Sequence, residues 1–458
     1  MSVPATVEVL TASRAEEMQR RAAGALGAAG LGAGDRVAFC LPSSAALLCA
    51  ILGALRIGVV PVLLNATLLD AERDLLISDA EPRLIVTDPT RLAELEGGPP
   101  VDLAPYPLAR PMHYTSGTTG RSKGVWSGLW EAATAEAAFT DEADQWSFGP
   151  DDVHLVCSPM YHSVSVRFAG GTLLRGGTCV VLGRFEADVA ARVLRGEWGS
   201  SPTTTFMAPS ALSRLIAATP DDADLLRSLR LLVHAGSSCP PALKRAAMER
   251  LGADVLWEFY GSTEGQFTVC SSEEWEARPG TVGRARPGRT ISVEGDGSIW
   301  CRPPDFARFS YWRDEAKTAS AWRDGAFTVG DLGRLDADGY LFIDARRDDL
   351  IISGGVNVYP AEVEAVLGEM DGLGEVAVFA ITDERWGQQV CAALVAAEGR
   401  RFAGEDGVAP LIEAARAYAA DRLAGYKRPK QYVVVEALPR TATGKVQRTL
   451  IPGMVDLG

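Results

Sequence analysis

Short apolar runs alternate with helical stretches through the first 260 residues, and few folds are open to a chain patterned this way. Residues 11–31 are rich in Ala and Leu with Glu, Arg and Gln between them and close at Gly30, which predicts a helix. A short apolar strand is predicted over 35–41, a buried helix over 45–57 stopped by Gly58, and a strand over 59–64. An amphipathic helix over 68–79 and a strand over 83–86 follow. Apolar runs at 152–157, 179–182, 203–207, 231–235 and 255–260 read as strands, and 128–144 as a helix. Such alternation implies a mainly parallel sheet covered on both faces. Residues 91–110 read as a Pro- and Gly-rich loop, and Gly170-Gly171 and Gly176-Gly177 as the brackets of a turn. The most apolar stretch, 45–66, is interrupted by Arg56 and Pro61. No membrane span is expected there, because spanning takes ~20 largely uncharged residues.

From Pro279 onward glycines, turns and short strands at 291–294, 298–301 and 340–343 predict a β-rich subdomain. The charged run Asp344-Ala-Arg-Arg-Asp-Asp349 marks a boundary. Beyond it lie a helix near 361–368, strands at 376–381 and 390–396, a helix at 409–423 and a strand at 432–435. The expected class is therefore α/β. A large N-terminal domain over 1–347 would pack mixed and parallel sheets with helices and carry the β-rich subdomain; a small α/β domain would occupy 348–458.

One stretch has the chemistry of an anion cradle: Tyr114-Thr-Ser-Gly-Thr-Thr-Gly-Arg-Ser-Lys-Gly-Val125. Gly117, Gly120 and Gly124 let the backbone turn where a side chain would clash. Backbone N–H groups so exposed form a concavity for an anion. The hydroxyls of Thr115, Ser116, Thr118, Thr119 and Ser122 add neutral donors, and Lys123 adds a cation. The spacing is not that of the P-loop, G-x-x-x-x-G-K-S/T, since counting from Gly117 puts Ser122 where the lysine belongs. A flexible Gly/Ser linker is the competing reading, but a linker seldom runs from Tyr into Lys-Gly-Val-Trp.

The balance of 45 Lys and Arg against 59 Asp and Glu argues against nucleic acid as partner, because nonspecific binding leans on surplus cations. An anionic substrate must find its positive charge locally. None of the eight cysteines is spaced C-x-x-C, which speaks against a zinc ribbon or redox pair and for a reducing compartment. The first residues carry neither a basic leader nor an apolar core, so a cytoplasmic protein is expected.

Separated stretches now point one way. Residues 114–125, Tyr260-Gly-Ser-Thr-Glu264, Gly330-Asp331 with Asp338-Gly-Tyr340, residues 346–360, and Pro439-Arg-Thr-Ala-Thr-Gly-Lys445 stand in order, and together they resemble the adenylate-forming superfamily. Its members are acyl- and aryl-CoA synthetases, peptide adenylation domains and beetle luciferases. The chain is shorter than most members, and the saving falls before Tyr114. The resemblance implies that a carboxylate attacks the α-phosphorus of ATP and that a thiol then displaces AMP. It also implies a C-terminal domain that closes for the first step and moves for the second.

On that resemblance, Thr115, Ser116, Gly117, Thr118, Thr119, Gly120 and Lys123 hold the β- and γ-phosphates. Tyr260 and Gly261 flank adenine, Thr263 reaches the α-phosphate, and Gly236 and Ser237 add backbone and hydroxyl to the nucleotide site. Glu264 is expected to ligate Mg²⁺ with Thr115 as a further oxygen. Asp331 and Arg346 are expected at the ribose hydroxyls, although Val329 and Ala345 stand where the family usually has Thr and Gly. Lys445 is the expected catalytic cation, Asp348 the hinge, and Gly354, Gly355 and Lys427 the contacts of the thiol's arm.

For the acid, His162 in Pro159-Met-Tyr-His-Ser matches the acyl- and aryl-CoA synthetase block and is expected to act in catalysis. His162, Val166, His234, Ala235 and Phe259 are expected to line the acyl pocket. Residues 161–167 contain no acidic side chain, which disfavours an α-amino acid substrate. The expected activity is an AMP-forming carboxylate–CoA ligase using ATP, Mg²⁺ and coenzyme A, as monomer or homodimer. The alternative is a stand-alone ligase that loads a phosphopantetheinylated carrier protein or an amine.

Overall fold

The computed structural model describes residues 6–115, 123–220, 222, 224–252, 254–346, 349–353, 356–383, 387–397, 405–440 and 446–455. They form two compact units: Met1–Ile291 with Trp300–Val329 and Ala337–Leu341, and Ser292–Ile299 with Gly330–Asp336 and Phe342–Gly458.

The first unit holds two large sheets. In the eight-stranded sheet, Thr178–Leu182, Val153–Val156, Thr204–Met207, Leu231–His234 and Leu256–Gly261 run parallel in that order. Val7–Thr11 closes one edge antiparallel, and Gln266–Ser271 with Arg284–Ala285 the other. The six-stranded sheet is ordered Ser310–Tyr311, Lys123–Trp126, Met112–Thr115, Val60–Leu63, Arg36–Phe39, Leu84–Val86. Its last four strands are parallel and its first three antiparallel. The parallel strands are buried apolar runs such as Val60–Leu63 and Leu231–His234, as strands covered on both faces must be.

Helix formation follows local signals. Thr11 caps Ala12–Ala28 and Ser44 caps Ala45–Arg56, each accepting from a backbone N–H of the first turn. Leu48, Ile51, Leu52 and Leu55 of the second helix are each at most 2% exposed. Each such burial stabilises by roughly 1.5–3 kcal/mol. The two helices meet at Gly53, where a Cβ would lie 2.5 Å from the Gln19 carbonyl oxygen. Arg56 is buried among them, donating to Ala104 O at 2.7 Å and Gln19 Oε1 at 2.9 Å and pairing with Glu16.

Two readings of the sequence are corrected. The stretch from Arg91 is not all loop: Pro89–Glu96 is a helix, capped by Asp88 with Pro at its first position. Gly170-Gly171 does not bracket a turn but lies inside the helix Ser163–Leu174. A Cβ on Gly171 would lie 2.6 Å from the Phe148 ring, and one on Gly170 3.0 Å from Leu52 Cδ2. Close packing, not chain reversal, fills these positions with glycine.

The second unit is built on the antiparallel strands Val356–Val358, Ile351–Ser353, Gly387–Ala396 and Leu373–Asp383, with Gln431–Val434 added parallel. Helices Pro360–Leu367 and Glu405–Arg422 share its core of Val363, Val378, Leu394, Leu411 and Ala415. Arg448 is held by Glu364 at 2.7 Å and Asp349 at 3.3 Å. Among the described residues no helix is long and apolar enough to cross a membrane.

Candidate active site

The strands Met112–Thr115 and Lys123–Trp126 pair antiparallel with Thr115 opposite Lys123, so the two ends of the Gly-rich stretch lie side by side. Residues 116–122, including the expected phosphate contacts Ser116, Gly117, Thr118, Thr119 and Gly120, are outside the described residues. On the far side of Lys123–Trp126, Tyr311 pairs with Val125. Its ring lies 5.6 Å from Lys123 Nζ, and its hydroxyl donates to Glu264 Oε1 at 3.0 Å. Burial and the neighbouring Glu264 carboxylate raise the Tyr311 phenol, so it stays a donor. Burial and the adjacent Lys317 ammonium lower Lys123. Two ammonium groups side by side, with Glu264 and Asp314 in reach, are the charge pattern of a polyphosphate and cation site.

Glu264 lies on the turn after the strand Leu256–Gly261, and the turn explains its glycines. Ser262 N donates to Gly265 O at 2.8 Å. A Cβ on Gly261 would lie 2.8 Å from that same oxygen, and one on Gly265 2.7 Å from Phe327 Cζ. The turn leaves Glu264 6% exposed with only Oε1 engaged among the described residues. Oε2 remains for a cation. Tyr260 packs on Phe267 with ring centroids 4.8 Å apart.

Thr263 and Ser262 border a cavity that runs between the helices Ala132–Gln145 and Ser163–Leu174. Its walls are mostly apolar, among them Leu52, Leu55, Phe139, Val166 and Leu174. Set into them are Arg110, Arg167, Arg289, His113, Asp141 and Glu142. Burial raises Glu142, but Arg167 at 3.4 Å and Arg286 at 3.1 Å more than offset this and hold its carboxyl at about 2. Burial and the neighbouring Arg167 and Arg289 guanidiniums push Arg110 down to about 10, so it remains charged at neutral pH. Burial pushes His113 down to about 3. Its Nδ1–H donates to Tyr161 O at 2.9 Å, while its buried Nε2 has no partner among the described residues. The ring therefore presents a neutral lone pair.

Of the residues expected at the acyl pocket, Val166 lines this cavity. His162 precedes the helix Ser163–Leu174 and packs on Tyr161 with ring centroids 4.4 Å apart. Phe259 stands behind the wall, its ring 5.7 Å from the Arg167 guanidinium, and shares an apolar cluster with Ala235. His234 is fully buried, 3.9 Å from Glu258, and burial pushes it down to about 4. Gly236 and Ser237 are exposed just past the strand Leu231–His234, with Gly236 at φ 94°. In the second unit, Asp331 is buried at the start of the strand Asp331–Leu335. Arg346 ends the strand Leu341–Arg346, with its side chain outside the described residues. Lys427 is engaged by Glu362, which raises its ammonium. Asp348, Gly354, Gly355 and Lys445 also lie outside the described residues. Tyr311, Lys317, Arg110, Arg167 and Arg289 were not picked out from the sequence, where no motif joins them.

Comparison with known proteins adds an independent line. The family model "AMP-binding enzyme" matches residues 4–105 and 110–302, and "AMP-binding enzyme C-terminal domain" matches 362–445. The chain is 32% identical to the indoleacetate–CoA ligase of Aromatoleum aromaticum over 93% of this chain and 90% of that one. It is 30% identical to the long-chain-fatty-acid–CoA ligase FadD13 of Mycobacterium tuberculosis, over 98% and 93%. The solved O-succinylbenzoate coenzyme A synthetase of Bacillus subtilis, in complex with ATP and magnesium ion, superposes with a TM-score of 0.81 at 26% identity, covering 96% of this chain and 94% of that one.

Proposed function

Because the chain belongs to the AMP-binding enzyme family, we propose that Lys123, Tyr311 and Glu264 form the phosphate end of its ATP site and that the adjoining cavity holds the acid to be activated. The chain is an AMP-forming carboxylate–CoA ligase that uses ATP, Mg²⁺ and CoA. A carboxylate oxygen attacks the α-phosphorus, forming an acyl-adenylate and releasing pyrophosphate. The CoA thiol then attacks the acyl carbon and AMP departs. Two anions must be brought together, so orientation and fixed positive charge carry the rate.

The observation that carries the site reading is the convergence of Lys123, Lys317 and Glu264 about Tyr311, from three separate segments of the chain. In this reading residues 115–123 hold the β- and γ-phosphates, Thr263 donates to the α-phosphate and Tyr260 backs adenine. Gly236 and Ser237 border the nucleotide, and Asp331 and Arg346 take the ribose. Glu264 and Thr115 would hold Mg²⁺, which would supply positive charge against the phosphates. The fit is chemical: a hard-oxygen donor with a spare oxygen and, among the described residues, no cluster of three His, Cys, Asp or Glu side chains suits a cation that completes its shell from phosphate and water. Lys445 is assigned to the charge developing at the α-phosphorus and His162 to placing the acid. Asp348 is assigned as the hinge between domains 1–347 and 348–458, and Gly354, Gly355 and Lys427 to the pantetheine arm. Lys427 must exchange the Glu362 carboxylate for CoA to play that part. All eight cysteines are unpaired thiols, which supports a cytoplasmic location; in this reading the protein acts as a monomer or homodimer.

The test is pyrophosphate release over a panel of aliphatic, alicyclic and aromatic acids. Release that depends on the acid, with thioester formed on adding CoA, is expected. Thioester formed only on a phosphopantetheinylated carrier protein would replace CoA as the acceptor.

A further inference from the structure

We propose that Lys244, 0% exposed and so out of reach of any substrate, is a positioning residue for the adenine end of ATP. Its buried pair with Glu258 sets the spacing between the loop 235–240 and the strand Leu256–Gly261, and through that spacing the choice of base. The proposal rests on the reading above, in which Gly236, Ser237 and Tyr260 border the nucleotide.

Three elements meet at one carboxylate oxygen. The parallel strands Leu231–His234 and Leu256–Gly261 set His234 opposite Glu258. The helix Pro241–Leu251 covers that face of the sheet, its Ala247 sharing an apolar cluster with Leu232 and Leu256. Lys244 stands in the first turn of this helix, where its backbone N–H donates to Pro240 O at 3.0 Å. The cation is thus fixed to the end of the loop that begins at Ala235. Its Nζ donates to Glu258 Oε2 at 2.6 Å and lies 5.0 Å from the Trp275 ring. His234 Nε2 stands 3.9 Å from the same oxygen. Residues two apart on a strand share a face, so Glu258 is the neighbour of Tyr260 along the face that carries Lys244.

Stability alone does not account for the pair. Taking an ammonium and a carboxylate out of water costs about as much as their attraction returns, and apolar residues of similar volume often serve a fold as well or better. What the pair adds is geometry. A short charge-assisted bond holds one separation and one direction, whereas apolar contacts slide. The loop 235–240 carries little that would hold it otherwise: among the described residues its one side-chain hydrogen bond is from Cys239 Sγ to the adjacent Pro240 O, at 3.9 Å. Its place is therefore set by its two ends, His234 and the first turn that bears Lys244. Both ends converge on Glu258, two residues before Tyr260.

The experiment measures pyrophosphate release against ATP, GTP and the acid in turn, in wild type and in Lys244→Met with Glu258→Leu, which removes both charges at similar volume. The double variant should melt no lower than wild type. Its KM for ATP should rise roughly 10- to 100-fold, the effect of a site displaced by about 1 Å. Its kcat and its KM for the acid should stay at wild-type values, and its preference for ATP over GTP should shrink. Should the double variant not fold, Glu258→Asp decides. It keeps both charges and shortens the reach by one methylene, and the same rise in the KM for ATP alone is expected. A wild-type KM for ATP and a wild-type base preference would overturn the inference. So would a parallel rise in both KM values with a lower melting temperature, the mark of a merely structural role. Tyr260→Ala separates the inference from the reading beneath it. If that variant weakens ATP binding and the Lys244 and Glu258 variants do not, the reading stands and the inference is overturned. If Tyr260→Ala leaves ATP binding unchanged, the reading falls and the inference with it.

Discussion

Tyr311 Oη donates a 3.0 Å hydrogen bond to Glu264 Oε1, tying the segment that flanks Lys123–Trp126 to the turn after Leu256–Gly261. The bond fixes which oxygen of Glu264 is spent and which is left for a cation. Tyr311→Phe keeps the ring beside Lys123 and removes only the donor. A hydrogen bond to a charged group is worth about 1.5–3 kcal/mol, or roughly 10- to 100-fold. We expect the KM for Mg·ATP to rise within that range and the KM for the acid to stay put. Equal changes in both would deny the assignment.

Lys123 and Lys317 repel each other, which is part of why Lys123 is lowered. Lys317→Met should therefore weaken ATP binding yet leave the nucleotide-free protein no less stable, or more stable by up to about 1 kcal/mol. Calorimetric ATP titration and thermal melts check the opposite signs. A fall in both would mean that Lys317 serves packing alone.

Burial holds His113 and His154 at about 3 and His234 at about 4, against an ordinary 6.5. Between those values the unfolded chain binds protons that the folded chain does not. Stability therefore rises with pH through this window and is lost on acidification from 6.5 downward. Each histidine contributes a slope of ~1.4 kcal/mol per pH unit. Urea melts at pH 7.0, 6.0 and 5.2 should show the midpoint falling steadily. A flat midpoint would place water or protons on these rings.

Lys445→Ala should slow adenylate formation by on the order of 10²–10³-fold, the usual loss of one preorganised charge, and leave use of supplied acyl-adenylate largely intact. Asp348→Pro, with φ fixed, should impair thioester formation more than adenylation. Separate assays of the two half-reactions check both variants. Equal loss in both halves would contradict the roles given to these residues.

The elements with local signals were legible in the sequence. Thr11 and Ser44 announce their helices, and the apolar runs from Val60 to Leu256 announce a parallel sheet. The helix Pro89–Glu96 also carries its local signal, Asp88-Pro89, within a stretch whose Pro- and Gly-rich composition is that of a loop. Ser163–Leu174 was not, because Gly170 and Gly171 read as breakers until the Phe148 ring that presses on them is in place. The same holds at the site. Glu264 and Lys123 stand in motifs, whereas Tyr311 joins them through a strand pairing between distant segments. The guanidiniums of Arg167, Arg286 and Arg289 come from two distant segments and meet only around Asp141 and Glu142. Such a meeting is a property of the fold and not of any short stretch.

The central claim is that this chain joins the oxygen of an acid to the phosphorus of AMP. It is tested most directly by supplying a free carboxylic acid substrate labelled with ¹⁸O in the carboxylate, together with ATP, Mg²⁺ and CoA, and weighing the products. Attack by the carboxylate at the α-phosphorus followed by thiol displacement leaves a single labelled oxygen in AMP and none in pyrophosphate. Label in an inorganic phosphate product, or AMP free of label while thioester accumulates, would contradict the account.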